Sequence, residues 1–250
     1  MNNQWNGRRE DFRLLTGQGK YTADWNLPGQ LYGWFLRSDR AHAKIVSVDT
    51  EAALAVSGVV KILTGQDIAS ENFKSPPVMA PFKSKDGTPF QAPFRPMLAT
   101  DRVRFVGEPV ALVIAETEAA AQEAAEQIFV EYDDLEPVVS AEAAIKEGAP
   151  QLYPQIAGNL GADYEYGALD ATEAAFATAP HVVRVKLHAQ RLAGNPMEPK
   201  SCLASYDPAA DAFDIYLPTQ GMGEMKVGFN SITGVSPEKL RIHAKDVGGA

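Results

Sequence analysis

The chain has 250 residues and a formal net charge of −9, and 45% of its residues are hydrophobic. This length fits one large domain or two ordinary ones, and the apolar content suffices for a core, which excludes disorder of the whole chain. The acidic balance argues against nucleic acid as a partner, because binding phosphates requires a basic surface.

The sequence contains a single cysteine, Cys202. A disulfide framework, a cysteine-ligated iron–sulfur cluster and a structural zinc site are therefore excluded within this chain. The longest apolar run, near Val110–Ala115, is too short to cross a bilayer. The basic N-terminal residues are not followed by the apolar stretch of a secretory signal. We therefore expect a cytoplasmic protein that has no membrane partner.

The first half of the chain predicts strands that alternate with short helices after a polar N-terminal arm. Residues 70–101 contain six prolines and almost no periodicity. We expect a long loop there, which is either functional or an ordinary surface excursion. Thr117 is the expected N-cap of an alanine-rich helix. The predicted strands are 31–36, 44–48, 59–63, 109–115 and 129–132, and the predicted helices are 51–56 and 118–128.

The second half of the chain begins a new set of elements. Asp170 and Glu173 form a capping-box-like pair ahead of a short helix. Val183, Val185 and Leu187 alternate with polar residues, which predicts a strand with one solvated face. The remaining predicted elements are a short helix near 141–146, a helix at 174–177, a hairpin over 203–217, a helix from about 222 to 232 and a strand over 240–244.

A glutamine at the end of a predicted strand is the first candidate for ligand contact. Gln220 precedes Gly221 and Gly223, which open a helix, and its amide offers donors and an acceptor to a ligand beside the strand end. From these residues alone an ordinary surface glutamine is the better interpretation. The glycine spacing does not match a dinucleotide fingerprint. The four histidines show no metal-ligand spacing, so no protein-ligated metal site is predicted.

Two glutamates next to prolines are further candidates. Glu198 precedes Pro199 in an apolar neighbourhood, where it is either a catalytic or substrate-orienting acid or the partner of a nearby arginine such as Arg191. Glu108 lies four residues after Arg104, and this pair favours a turn closed by an ion pair.

Several segments, taken in order, resemble the large subunits of molybdenum hydroxylases, the family of xanthine dehydrogenase, aldehyde oxidase and aerobic carbon monoxide dehydrogenase. The resemblance covers essentially the whole chain, and its specificity comes from the order and spacing of motifs that are weak one by one. These motifs are VRFVGEPVA at 103–111, VEYD at 130–133, GN at 158–159, PMEP at 196–199, TQ at 219–220 and DVGG at 246–249.

The resemblance implies an α+β fold, in which an α/β hammerhead domain is followed by the beginning of an α+β molybdopterin-binding domain. The expected divisions are an N-terminal arm at 1–16, the hammerhead domain at 17–137, a linker at 138–149 and the start of the first molybdopterin-binding domain at 150–250. The sequence ends inside the family's glycine-rich loop, so we expect a truncated chain or one completed by another chain.

The resemblance also implies a function and its site. Gln220, Gly248 and Gly249 match residues that approach the molybdopterin cofactor, in its plain or cytosine dinucleotide form, and Glu198 matches a segment on the substrate side. The complete enzyme would oxidise an aldehyde or an N-heterocycle with water as the oxygen source. Its partners would be the remaining molybdopterin-binding chain or segment, an iron–sulfur subunit and an FAD subunit. This chain alone would be inactive, and the alternative is a cofactor-free assembly module.

Overall fold

The computed structural model describes residues 7–78, 80, 82–190 and 192–249. Contacts group the chain into two compact units. The first contains the residues up to Pro77, Phe94–Pro137 and the residues from Pro196 onward, and the second contains Val78–Pro93 and Val138–Asn195. The division at 16, 137 and 149 follows chain order instead, and it stays a prediction.

The strands and helices alternate along both halves of the chain. The strands are β1 (Tyr32–Arg37), β2 (Ala43–Asp49), β3 (Val59–Thr64), β4 (Arg102–Val103), β5 (Pro109–Ala115), β6 (Phe129–Asp134), β7 (Leu203–Asp207), β8 (Ala212–Tyr216) and β9 (Leu240–His243). The helices are α1 (Asp11–Leu15), α2 (Glu51–Leu54), α3 (Gly65–Ala69), α4 (Glu118–Glu126), α5 (Ala141–Ala144), α6 (Leu169–Thr178) and α7 (Met222–Thr233). The predicted mixture of helix and strand is confirmed.

Two small sheets form the first part of the first unit. β5 lies in the centre of an antiparallel sheet in the order β1-β5-β3, and β2 is central in the order β4-β2-β6. The apolar run of β5 is buried because α4 packs its small Ala121 and Ala124 side chains against the β1-β5-β3 sheet, while Val110 belongs to a second cluster. The Thr117 hydroxyl caps α4 as predicted, accepting the Ala120 N–H at 3.1 Å.

The third sheet has the strand order β7-β8-β9. The predicted hairpin is confirmed, since β7 and β8 are antiparallel. β9 pairs with β8 in parallel and is reached through α7, which makes a strand–helix–strand crossover. Ile215, Leu240 and Ile242 form its core, and Met225 and Phe229 of α7 pack against them.

Two predictions in the second unit are wrong. α6 begins at Leu169, so Asp170 lies in its first turn, and no side-chain capping hydrogen bond is present. Residues 179–190 form no strand, and Val183, Val185 and Leu187 are 85%, 72% and 86% exposed. Alternation supplies the side-chain pattern of a strand, but a strand also needs a neighbour to bond its backbone, and no described residue pairs with this segment.

The long loop is confirmed for the residues that the structure covers between 70 and 101, where a lone bridge joins Lys83 to Pro89. The five-residue helix α3 before it was not predicted. Within the described part of the chain, no helix is long and apolar enough to span a membrane.

Candidate functional site

The ends of two parallel strands bring the predicted site residues to one edge of the third sheet. Tyr216 ends β8 and pairs with His243, which ends β9, and the Leu217 N–H donates to the His243 carbonyl at 3.1 Å. Gln220 follows β8 and the Gly248–Gly249 pair follows β9, so both leave the sheet at what we call its carboxyl edge. Open α/β sheets bind ligands outside the carboxyl ends of their strands.

The Gln220 side chain is exposed at this edge and makes no hydrogen bond to any residue the structure describes. The turn around it is set locally, because the Thr219 hydroxyl accepts the Gly221 N–H at 3.1 Å before α7 begins. The Glu224 carboxylate folds back onto Gly221 at the start of α7. A negative side chain at that helix N-terminus disfavours a phosphate there, and the neutral amide of Gln220 is the group left available.

Gly248 is held by Glu198 through two hydrogen bonds. The Gly248 N–H donates to one oxygen of the Glu198 carboxylate at 2.7 Å, and the Glu198 N–H donates to the Gly248 carbonyl at 3.2 Å. A side chain at 248 would place its Cβ 2.6 Å from the Glu198 Cβ. The position therefore requires glycine for close approach of the two segments.

Position 249 also requires glycine, both for its backbone conformation and for lack of space. Its φ of +112° lies where residues with a side chain are strained. A Cβ there would also lie 2.7 Å from the Pro196 Cβ. Gly249 is an exposed residue, and its N–H has no hydrogen-bond acceptor among the residues described.

Glu198 is a buried carboxylate with both oxygens in use. The residue is 8% exposed, and its second oxygen accepts the Thr22 N–H at 2.9 Å. Arg191, the proposed ion-pair partner, lies outside the described residues. The catalytic role predicted for Glu198 is not tested by these contacts and stays a prediction.

Asp246 ties the same loop to the N-terminal segment, by which we mean residues 11–25. Arg13 donates two hydrogen bonds to its carboxylate, at 2.5 and 2.6 Å, and the Lys20 N–H donates a third at 2.6 Å. The Arg13 hydrogen bonds are the main cause that lowers the pKa of Asp246 to about 2. This paired carboxylate is therefore ionised at neutral pH.

A series of ring contacts also joins the N-terminal segment to the carboxyl edge. Tyr216 stacks on His243 with ring centroids 4.5 Å apart, and Trp25 lies 4.6 Å from Tyr216. Lys20 places its ammonium 3.8 Å from the centre of the Trp25 ring. The His243 ring bonds Asp214 at 2.7 Å, which lowers the pKa of Asp214. The ends of β8 and β9 are thus held by side chains as well as by the sheet.

The sequence does not predict the contacts that the N-terminal segment makes with Glu198 and Asp246. Thr22 and Glu198 are 176 residues apart, and Arg13 and Asp246 are 233 apart. No local pattern marks such a pair, although the quoted motif at 246–249 includes Asp246 itself.

The turn at Arg104 and Glu108 is structural. The buried Glu108 carboxylate accepts the Arg104 backbone N–H at 2.5 Å, and burial is the main cause that raises its pKa. Glu108 therefore closes the predicted turn through the backbone.

Comparison with known proteins gives matches along most of the chain. A family model described as "Aldehyde oxidase and xanthine dehydrogenase, a/b hammerhead domain" matches residues 16–136, and one described as "Molybdopterin cofactor-binding domain" matches residues 152–250. The nicotine 6-hydroxylase large subunit of Paenarthrobacter nicotinovorans is 37% identical over 97% of this chain and 29% of its own length. The carbon monoxide dehydrogenase large chain of Hydrogenophaga pseudoflava is 32% identical over 96% of this chain and 30% of its own.

Solved structures share the fold. Quinoline 2-oxidoreductase from Pseudomonas putida 86 matches with a TM-score of 0.84 and 34% identity, over 97% of this chain and 30% of that chain. The chain thus spans about 30% of the length of the relatives it matches.

Proposed function

Because the chain belongs to the aldehyde oxidase and xanthine dehydrogenase family, as a fragment of a molybdenum hydroxylase large subunit, we propose that it forms part of the molybdopterin site of such an enzyme. The observation that carries this proposal is the carboxyl edge of the third sheet. There the Gln220 amide and the Gly249 N–H, two donors without a partner among the described residues, follow adjacent parallel strands.

The residues at this edge fit the proposed cofactor. An amide and a backbone N–H donate hydrogen bonds without adding charge, which suits polar ligands of a metal and the heteroatoms of a pterin ring. The bare backbone of Gly248 and Gly249 allows a planar group to approach closely. When bound, molybdopterin supplies the two-electron oxidation chemistry, and the protein supplies orientation and hydrogen bonds. Gln220, Gly248 and Gly249 are the residues we propose to hold it.

The proposed substrate is an N-heterocycle, with an aldehyde as the alternative. Two of the relatives above have nicotine and quinoline in their names, and both compounds are N-heterocycles. These relatives are 37% and 34% identical to this chain. A heterocycle of this kind is neutral or weakly basic, so a site in an acidic protein does not repel it. We propose oxidation with water as the oxygen source for the complete enzyme.

The proposed partners are further subunits or segments of the same enzyme. With Cys202 as its single cysteine, the chain offers no ligand set for an iron–sulfur cluster. Iron–sulfur and FAD subunits are proposed to carry the electrons away, because the relatives are named as a large subunit and a large chain, which implies further subunits. The exposed apolar residues Val183, Val185 and Leu187 favour a further molybdopterin-binding chain or segment as the neighbour of that stretch. The cytosine dinucleotide form of the cofactor and a cytoplasmic location stay parts of this proposal.

The test is Gln220→Ala in the complete enzyme, assembled with its partner subunits. A hydrogen bond to a charged or strongly polar group away from water is worth about 1.5–3 kcal/mol. If that bond strengthens in the transition state, turnover per bound molybdenum falls about ten- to a hundredfold. Gln127→Ala, which removes an exposed glutamine at the end of α4, is the matched control and leaves turnover unchanged.

Two results would count against the proposal. Equal turnover of the Gln220→Ala and wild-type enzymes at equal molybdenum content would show that the amide is an ordinary surface group. A complete wild-type preparation that binds no molybdenum and oxidises neither heterocycles nor aldehydes would favour the cofactor-free assembly module.

A further inference from the structure

Glu198 is a buried glutamate whose hydrogen bonds, among the described residues, all go to backbone groups. Its two oxygens accept the N–H groups of Thr22 and Gly248, at 2.9 and 2.7 Å. A carboxylate has only acceptors, so it serves two donors at once. Hydrogen bonds to a carboxylate are also stronger than those between neutral groups. The side chain therefore joins two distant segments of the first unit.

Both backbone polar groups of Gly248 bond Glu198. The N–H of Gly248 goes to the Glu198 side chain and its carbonyl goes to the Glu198 backbone. A Cβ at 248 would lie 2.6 Å from the Glu198 Cβ, so the two backbones approach too closely for a side chain at 248. The Gly249 backbone continues from this fixed point and lies against Pro196.

We propose that Glu198 is a positioning residue, whose carboxylate fixes the Gly248–Gly249 backbone against the N-terminal segment and so presents the Gly249 N–H at the carboxyl edge. The second half of this statement rests on the proposed function, because it assigns that N–H to the cofactor. Positioning differs from the predicted catalytic role, since both carboxylate oxygens are bound to the protein itself.

Asp246 gives the arrangement a second anchor on the same segment. Its bonds to Arg13 and to the Lys20 N–H lie two residues before Gly248, and the Asp246 N–H donates to the Lys20 carbonyl at 3.3 Å. The loop is thus bonded to the N-terminal segment directly at Asp246 and, through Glu198, at Gly248. Movement of that segment would shift the glycine pair with it.

The test is Glu198→Gln in the complete enzyme, read by hydrogen exchange of the Gly248 amide. Glutamine has the same shape but a single acceptor oxygen, and its NH2 group faces a second N–H donor instead of accepting from it. The matched control is Glu108→Gln, a change at an equally buried glutamate that also accepts a backbone N–H but lies in the Arg104 turn. The melting temperature, molybdenum content and turnover per molybdenum are measured for both variants.

We expect the Gly248 amide to exchange about ten- to a hundredfold faster in Glu198→Gln, as loss of a hydrogen bond to a charged group implies. Turnover per bound molybdenum falls in this variant. Glu108→Gln lowers the melting temperature but leaves Gly248 exchange and turnover per molybdenum at wild-type values. This difference separates positioning of the loop from a general loss of stability.

Three outcomes would overturn the inference. Unchanged Gly248 exchange in Glu198→Gln would show that the carboxylate does not hold the loop, whether or not cofactor binds. Faster exchange with unchanged molybdenum content and turnover would show that the held loop does not serve the cofactor. Loss of one ionisation from the pH profile of kcat, without faster exchange, would assign Glu198 a catalytic role. A wild-type enzyme without molybdenum would refute the proposed function, while the exchange measurement would still decide whether Glu198 holds Gly248.

Discussion

Replacing Asp246 with asparagine removes the charge that pairs with Arg13 while keeping the shape of the side chain. The Asp246 side chain is 9% exposed, and Arg13 and the Lys20 N–H bond it at 2.5–2.6 Å. These bonds lower the pKa of the carboxyl from 3.8 to about 2. Such a change corresponds to about 2 kcal/mol of stability at neutral pH. Because the Arg13 side chain is 31% exposed, solvent screens the pair, and we expect Asp246→Asn to cost about 1–2 kcal/mol.

The pH dependence of this cost follows from the direction of the pKa change. A carboxyl with a lowered pKa in the folded state stabilises the protein above its unfolded pKa, and the stabilisation is lost as the pH falls from 3.8 towards 2. Urea unfolding of wild type and Asp246→Asn should therefore differ at neutral pH and converge in acid. Asp133→Asn, at an exposed pair with Lys44, is the control and should cost little. A cost for Asp246→Asn that is independent of pH, or no larger than that of the control, would refute this reasoning.

Gly248→Ala should destabilise the protein by about 1–3 kcal/mol, because its Cβ would meet Glu198 at 2.6 Å. Gly228→Ala, in α7 with no heavy atom within 4 Å of the added Cβ, should instead stabilise it by about 0.5–1 kcal/mol. Thermal unfolding compares the two, and changes of the same sign would contradict the close approach. The 250-residue chain alone should bind no molybdopterin and oxidise no substrate, since it spans about 30% of its relatives' length. Molybdenum analysis and a turnover assay check this, and one molybdenum per chain with turnover would contradict it.

The sequence predicts those elements whose information is local. The run Pro109–Ala115 is continuously apolar because β5 is central and buried, and Thr117 marks the start of α4 by its own hydroxyl. The stretch around Val183 and Val185 also has a local signal, an alternation of apolar and polar residues, yet it forms no strand. A strand also needs a neighbouring strand to bond its backbone, and the local pattern carries no information about that neighbour. Periodicity therefore predicts a preference for extended structure but not which strand it pairs with.

The candidate site divides in the same way. Gln220 and the pair Gly248–Gly249 are candidates through the resemblance of their short motifs to the family, and they follow β8 and β9, which pair in parallel. The bonds from Glu198 to Thr22 and from Asp246 to Arg13 join residues more than a hundred positions apart. Such pairs have no local sequence signal, because each partner alone is an ordinary polar residue.

The charged and neutral groups at the glycine pair have separate tasks. The two carboxylates described at this loop both accept hydrogen bonds from the protein. Glu198 accepts from two backbone N–H groups, and Asp246 accepts from Arg13 and from the Lys20 N–H. The amide of Gln220 and the N–H of Gly249 bond no other described residue. The cofactor proposed for this edge is anionic and bears phosphate, and an unpaired carboxylate beside it would repel such a ligand. The contacts that we propose to fix the loop therefore also pair the carboxylates beside it, and they leave neutral donors for the proposed cofactor.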